Sequence, residues 1–338
     1  MPELPEVESV RLGLARHLIG RKVQSVEVLD PRPLRRQEGG ARAFTKQLTG
    51  RTFTGAARRG KFLWLPLEDG RALRAHLGMS GQLLVRGTPT QAQPDAAVLG
   101  QLQGEQPGEH PIDLTATRAP NLVRDLSVQP KHLRIRLHLE PVPGDASTGA
   151  ALELVDQRMF GGLVVDDLVP TEDGLPGGLG EARPVLPASV THIARDLLDP
   201  HLDLGDAVSR LRHSDRGVKT LLLDQGVVSG IGNIYADEGL WAACVHGRRR
   251  GSALSRKAAA RLLEETAEVM RRSLEVGGTS FDSLYVDTEG APGFFARSLA
   301  VYGRAGQACL RCGAVLRSEV VGGRSHVFCP QCQTRPRL

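Results

Sequence analysis

Apolar residues recur at Val7, Val10, Leu14 and Leu18, a helical spacing that Gly20 closes. Pro5 suits the first turn of that helix, with Glu6 and Glu8 beside its positive end. Short β-type runs follow: Val23 to Leu29, Phe53 onward through Phe62-Leu63-Trp64-Leu65, and Ala72 to His76. Leu133 to Leu139 alternates apolar and polar residues, and Ala151 to Val155 predicts a further strand. Between Arg86 and Pro130 the periodicity fades into Gln, Pro, Gly, Ala and Thr, which predicts an irregular, partly disordered surface insertion. Residues 170–189 are rich in Gly and Pro and read as an interdomain linker. Beyond it the pattern turns helical. One helix is expected to begin near Asn233. A longer one, Ser255 to Glu275, carries a core stripe at Leu262, Leu263, Thr266, Val269, Met270 and Leu274 and stops at Gly277-Gly278. Val315 to Val321 and Arg324 to Phe328 predict a hairpin around Gly322-Gly323. The class is α+β. The expected division is residues 1–169, mostly β with a leading helix; the linker 170–189; a helical unit 190–300; and a terminal unit 301–338.

A chain of 338 residues suits two or three domains with substantial cores. No apolar run is long enough to span a bilayer, and no basic segment precedes an apolar stretch at the start, so a soluble, cytoplasmic protein without a membrane partner is expected. The net charge is only +5, but it is unevenly placed: Val301 to Leu338 holds six arginines against Glu319 alone. A basic terminal segment points to a polyanionic partner.

That segment also carries the most specific spacing in the chain. Cys309-x2-Cys312 and Cys329-x2-Cys332, sixteen residues apart, match one structural tetrathiolate zinc site. Two disulfides are the alternative, disfavoured in a reducing compartment. Such a small finger folds with its metal. Arg324 stands at the hairpin tip, where it can hold a phosphate or reach into DNA. The fifth cysteine, Cys244, reads as a small buried hydrophobe.

The first residues hold further chemistry. If Met1 is removed, the Pro2 nitrogen is a free secondary amine, partly uncharged at neutral pH. Such an amine attacks aldehyde-level carbons, and its adduct is an iminium cation. Glu3 beside it is a candidate proton donor or acceptor. Lys61 lies just before an apolar strand, as a solvated strand end or as a phosphate or proton-transfer group. Met79, flanked by Gly78 and Gly81, is either a core methionine or a side chain presented by a tight turn. Arg158 and Phe160 have period-two spacing and are expected on one side of an extended turn. Gly226 to Glu238 predicts a turn into a helix whose N-terminus, with Asn233, suits a phosphate, although Gly-Asn also serves as an ordinary cap.

Pro2-Glu3-Leu4-Pro5-Glu6-Val7-Glu8, Arg59-Gly60-Lys61-Phe62, His76-Leu77-Gly78-Met79-Ser80-Gly81, Gly230-Ile231-Gly232-Asn233-Ile234-Tyr235-Ala236, Pro292-Gly293-Phe294-Phe295, Val301-Tyr302-Gly303-Arg304 and the four cysteines occur in one order. In these motifs the chain resembles the bacterial formamidopyrimidine-DNA glycosylase (8-oxoguanine-DNA glycosylase and AP lyase) family. The resemblance implies an N-terminal β-sandwich with a leading helix, a helix–two-turn–helix domain and a zinc-ribbon hairpin. It implies a monomer that binds damaged double-stranded DNA in a basic cleft and flips the damaged purine out of the stack.

By the same resemblance Pro2 is the nucleophile, Glu3 assists at the sugar, and Lys61 and Arg324 serve the β- and δ-eliminations. Met79, Arg158 and Phe160 fill the gap left by the flipped base. Lys219, Asn233, Arg324 and His132 hold phosphates, and a lesion-sensing loop falls between Ser280 and Gly293. The chain departs from the family at Lys131-His132-Leu133-Arg134, Gln157, Met159 and Ser214, which affects individual phosphate contacts.

Two rival readings remain: an endonuclease VIII-like glycosylase for oxidised pyrimidines, a branch that usually has Gly where Leu4 stands, and a non-catalytic zinc-finger DNA-binding protein, which has no need of Pro2 with Glu3.

Overall fold

The computed structural model describes residues 2–87, 130–141, 150–275 and 298–336. Most of the 86–130 insertion, the 280–293 loop and the Pro292–Phe295 motif lie outside them. Helix α1 (Leu4–Leu18) leads the chain. Strand β1 (Val23–Val28) and helix α2 (Gly40–Leu48) follow. The periodicity did not single out α2, which is nine residues long and buries only Phe44 and Leu48.

Two antiparallel sheets form the N-terminal domain. The first has the order β1, β6 (Leu133–Leu139), β7 (Ala151–Asp156), β5 (Gly81–Arg86). The second has the order β2 (Ala57–Arg59), β3 (Phe62–Pro66), β4 (Arg71–His76), β8 (Gly162–Pro170), β9 (Val185–Pro187). Leu63, Leu65 and Leu73 of the second sheet pack with Leu83, Ile135, Leu137 and Leu152 of the first, under Val10, Leu14 and Leu18 of α1. This is the sandwich core. The outer face of the second sheet is covered as well, where Trp64, Ala57 and Ala72 meet Leu186, Val190 and Ile193. Burial on both faces explains why Phe62-Leu63-Trp64-Leu65 reads as a continuous apolar run.

The 170–189 segment, read as a linker, is built into this sheet. Strand β9 pairs with β8, and Arg58 and Leu179 form a backbone bridge. Its Gly and Pro make tight turns here: Gly178 lies so close to the Arg58 carbonyl that a Cβ there would sit 2.3 Å from the oxygen.

The helical domain comprises α3 (Leu204–Arg212), α4 (Val218–Leu222), α5 (Asn233–Ala242) and α6 (Arg256–Glu275). The predicted stripe of α6 is its core face, except that Leu274 is only half-buried and Ser273 is buried. Leu4 belongs to this helical core, whereas Val7, one turn later, belongs to the sandwich core. Helix α1 therefore carries the N-terminus across the domain junction and plugs it into the second domain. The terminal hairpin is β10 (Arg317–Val321) and β11 (Arg324–Phe328), paired in register from Arg317↔Phe328 to Val321↔Arg324. Gly322 and Gly323 both have positive φ, 57° and 75°, which a two-residue hairpin turn of this hand requires.

Candidate active site

Three separate stretches meet at the domain junction: Pro2 to Glu6, Arg59 to Lys61, and Ser229 to Tyr235. Pro2 is buried at the head of α1. Glu3, 3% exposed, points its carboxylate at the N-terminus of α5. Oε2 accepts the Gly232 N–H at 2.7 Å and the Tyr235 N–H at 3.2 Å, and Oε1 accepts the Ile234 N–H at 2.9 Å. A helix N-terminus offers free N–H groups and a positive dipole end. The sequence reading reserved them for a phosphate; in the fold Glu3 takes them. The glycines of Gly230-Ile231-Gly232 follow from this approach. A Cβ on Gly232 would lie 2.3 Å from Glu3 Cδ, and one on Gly230 would lie 2.6 Å from Leu4 Cδ1.

Burial pushes the Glu3 carboxyl up to about 7, and Glu6 adds to the rise. Lys61 and the backbone donors oppose it. Glu6 in turn accepts the Glu3 backbone N–H at 2.8 Å. An acid with that value is half-protonated near neutrality, as a general acid–base group needs. Lys61 is also buried, and its Nζ donates to the Ile231 carbonyl at 2.8 Å. Desolvation holds its ammonium below the usual lysine range, against the pull of Glu3 and Glu6, and Arg324 lowers it further. The turn that presents Lys61 is fixed by Asp196, whose Oδ2 accepts the Gly60 N–H at 2.9 Å and an Arg58 N–H at 2.7 Å. A cavity of about 490 Å³ opens between the domains beside Lys61, lined also by Phe62, His76, His192 and Gln225. His76 is held neutral there, burial and then Arg74 depressing it to about 4.

Arg324 stands exposed at the start of β11, near enough for its charge to depress both Lys61 and Lys219. Lys219 departs from the expected surface phosphate contact. Its side chain is fully buried, and Nζ donates to Asp237 Oδ1 at 2.7 Å and to the Ser325 carbonyl. Asp237 gathers the hairpin: it also bonds His326 Nδ1 at 2.6 Å and accepts the Val327 N–H at 3.0 Å. His326 Nε2 accepts the Gly247 N–H at 3.1 Å, so the ring proton sits on Nδ1 and faces the carboxylate. Asn233 is half-exposed, and its Nδ2 donates to Ser325 Oγ at 3.2 Å. The Lys219–Asp237–His326 group thus ties α4 and α5 to the strand that carries Arg324. No local signal marked Asp237, because its partners are 18 and 89 residues away.

Met79 and Phe160 are exposed by 40% and 54%, which removes the core reading of Met79. Arg158 is exposed beside them. The turn that carries Phe160 is not extended as expected: Met159 has φ +56°, in the left-handed region. The two loops are cross-braced by the buried Asp156. Its Oδ1 accepts the Ser80 hydroxyl at 2.6 Å, its Oδ2 the Gly161 N–H at 2.8 Å, and Ser80 Oγ accepts the Arg158 N–H at 2.9 Å. His132 is a half-exposed residue with φ +69° on the turn before β6, and its carbonyl accepts the Asp156 N–H at 3.1 Å.

The ligand atoms of Cys309, Cys312, Cys329 and Cys332 all lie within 4.8 Å of one another, and all four thiols are free. Tetrahedral zinc with bonds of about 2.3 Å to sulfur fits such a cluster, and the disulfide alternative falls away. The donor set is a closed structural site for one zinc ion. Trp241 Nε1 donates to Cys309 Sγ at 3.4 Å, an outer contact that orients the ligand. Cys244 corrects the sequence reading. It is exposed with φ +57°, and its Sγ accepts from Arg311 at 2.8 Å, while that guanidinium lies 4.1 Å from the Trp241 ring centre.

Comparison with known proteins covers the whole chain. Residues 1–163 match the family model described as formamidopyrimidine-DNA glycosylase N-terminal domain, residues 193–284 the formamidopyrimidine-DNA glycosylase H2TH domain, and residues 306–335 the zinc finger found in FPG and IleRS. The chain is 47% identical to the formamidopyrimidine-DNA glycosylase of Nocardioides sp. strain JS614, over 100% of this chain and 96% of that protein. It is 46% identical to the Leifsonia xyli protein of the same name, over 98% and 99%. A Lactococcus lactis FPG mutant in complex with a Fapy-dG containing DNA superposes with a TM-score of 0.71 at 26% identity, covering 99% of this chain and 100% of that one. The Lactococcus lactis Fpg bound to an abasic site containing DNA gives 0.70 at 26% identity, covering 98% and 100%.

Proposed function

The chain belongs to the formamidopyrimidine-DNA glycosylase family, and from that premise we propose that it removes oxidised purines, 8-oxoguanine and formamidopyrimidines, from duplex DNA and then cuts the strand. The observation that carries this reading is Glu3: a buried carboxyl poised near 7, next to Pro2, held on the N-terminus of α5 and within the field of Lys61.

Removal of Met1 makes the Pro2 nitrogen the nucleophile. It forms a bond to C1′ of the damaged nucleotide as the glycosidic bond breaks; the base leaves with the electron pair and takes up the proton that the attacking amine gives up. Protonated Glu3 gives its proton to the ring oxygen as the C1′–O4′ bond opens, leaving an iminium between Pro2 and C1′. The iminium acidifies C2′. Loss of that proton expels the 3′ phosphate, and a second elimination expels the 5′ phosphate. Hydrolysis of the iminium returns the free amine.

Lys61, whose ammonium burial holds below the usual lysine range, moves a proton in the first elimination. Arg324, through its guanidinium fork, neutralises the departing phosphates. Asn233 and His132 hold phosphates. Lys219 acts from the interior, holding the Ser325 carbonyl and hence the tip that bears Arg324. Met79, Arg158 and Phe160 enter the duplex: two apolar wedges at the unstacked step and one cation that pairs with the orphaned base. The zinc ion of Cys309, Cys312, Cys329 and Cys332 supplies folding energy to the finger and no step of the reaction. The protein works as a monomer in the cytoplasm on damaged double-stranded DNA.

Borohydride trapping on an 8-oxoguanine or abasic duplex tests the nucleophile. A covalent complex is expected, and it disappears when Pro2→Gly is combined with an extra residue before it. Undiminished trapping by that variant would remove Pro2 from the mechanism. Preferential trapping on an oxidised pyrimidine would shift the substrate class to the endonuclease VIII type.

A further inference from the structure

The residues that brace Phe160 include one that no motif marked. Arg35 directly follows a short 3-10 turn, Arg32–Leu34, in which Pro33 and Leu34 are buried and Leu34 belongs to the sandwich core. Its guanidinium donates to three consecutive carbonyls of the distant turn, those of Met159 at 3.3 Å, Phe160 at 3.0 Å and Gly161 at 3.0 Å, and to its own Arg32 carbonyl at 3.4 Å. The turn needs such a hold. Met159 sits at φ +56°, a conformation that a non-glycine residue keeps only when its surroundings impose it. The Asp156 carboxylate fixes the other side through the Gly161 N–H. A Cβ on Gly78 would lie 2.4 Å from the Phe160 carbonyl carbon, so the Met79 loop also packs directly on this turn.

We propose that Arg35 is a positioning residue: it sets Phe160 in its inserting conformation before DNA arrives, by gathering the carbonyls of residues 159–161 onto one planar cation. The proposal rests on the reading of Phe160 as a wedge. Arginine suits the task because its rigid fork presents five N–H donors in a plane, which lysine's point charge cannot reproduce. An exposed arginine beside a DNA cleft is otherwise expected to hold a phosphate, and the two roles differ in what they predict. A phosphate contact is replaceable by lysine and contributes to the salt dependence of binding. A carbonyl clamp is neither.

The test uses the full-length zinc-loaded protein with Phe160→Ala, Arg35→Lys and the double variant. A duplex with 8-oxoguanine and a fluorescent 2-aminopurine next to the estranged base reports wedge insertion and base release together. Phe160→Ala is expected to abolish the fluorescence change and slow single-turnover excision. Arg35→Lys is expected to lose most of the same signal and to slow excision by about 10- to 100-fold, the scale of an ångström misplacement. Its slope of log K against log salt stays unchanged. The double variant is no slower than Phe160→Ala, because both substitutions remove one function. Full excision and signal in Arg35→Lys, multiplicative losses in the double variant, or a salt slope shallower by about one in Arg35→Met would overturn the proposal. Arg35→Met also replaces the lysine variant should that fail to fold. Normal insertion and excision by Phe160→Ala would instead sink the wedge reading itself, a result distinguishable from failure at Arg35 alone.

Discussion

Gly232 donates its backbone N–H to Glu3 Oε2 at 2.7 Å, so a residue at the start of the chain occupies the anion-accepting end of a helix more than two hundred residues later. The contact joins the two domains at the carboxylate to which we assign proton transfer. It also gives the glycine its reason, since the carboxylate lies where a Cβ would project.

Gly232→Ala is therefore expected to displace Glu3 and leave the rest of the helix intact. Base release should fall by about 10²-fold, as for an ångström-scale misplacement of a catalytic group. Single-turnover excision assays together with far-UV circular dichroism check this. Full activity in Gly232→Ala would mean that the Glu3 position is not critical.

The raised Glu3 value predicts a pH profile. With the protonated carboxyl as the proposed donor and the neutral Pro2 amine as the proposed nucleophile, base release should follow a bell-shaped pH profile, and Glu3→Gln should be slow and lose the alkaline decline while keeping the rise that comes from the amine. The linkage sign follows from the same shift. The folded protein binds this proton more tightly than the unfolded chain, whose carboxyl has the ordinary 4.5. The stability of the native protein relative to Glu3→Gln should fall as pH rises between about 4.5 and about 7 and be level on either side. Urea titrations of both proteins across that range measure it, and a rising difference would contradict the assignment.

Asp237→Ala should be among the costliest single changes in the helical domain. It leaves the Lys219 ammonium and His326 Nδ1 buried without their shared acceptor, and all three side chains are fully buried. Breaking such a pair costs roughly 3–5 kcal/mol. Strand cleavage should suffer beyond the loss of stability, because Ser325 and Arg324 lose their anchor. Chemical denaturation gives the first quantity and abasic-site cleavage at low temperature the second. A loss well under 1 kcal/mol would show that the network is not structural.

Chelating the zinc, or Cys329→Ser, should free the finger from Trp241. The chain has two tryptophans, Trp64 buried in the sandwich and Trp241 bonded to Cys309 under Arg311. In a Trp64→Phe background, emission should shift to longer wavelength on metal removal, and affinity for damaged duplex should drop together with it. The N-terminal domain should keep its strand signal. Unchanged duplex binding by metal-free protein would exclude the finger as a DNA contact.

Much of this was legible along the chain. The alternation of Leu133 to Leu139 matches β6 from end to end, the hairpin turns at Gly322-Gly323, and the cysteine spacing becomes one cluster. These features depend on periods and separations of a few residues, which geometry within one element dictates. Conversely, α2 was not marked, because only two of its nine residues are buried and its apolar pattern is thin. The 170–189 segment looked like a linker because glycine and proline serve tight turns inside a sheet as readily as they serve a tether.

Sequence alone determined the repertoire: the Pro2-Glu3 pair, the four cysteines, a methionine and a phenylalanine on turns, and a basic terminal segment. Tertiary structure decided which polar groups remain available. Glu3 rather than a phosphate occupies the head of α5, Lys219 is committed to the interior, Cys244 is exposed against Arg311, and Arg35 holds a turn 124 to 126 residues away. Hydrogen-bond capacity and charge belong to a residue type, but whether they are already spent depends on neighbours that only the folded chain brings within 3 Å.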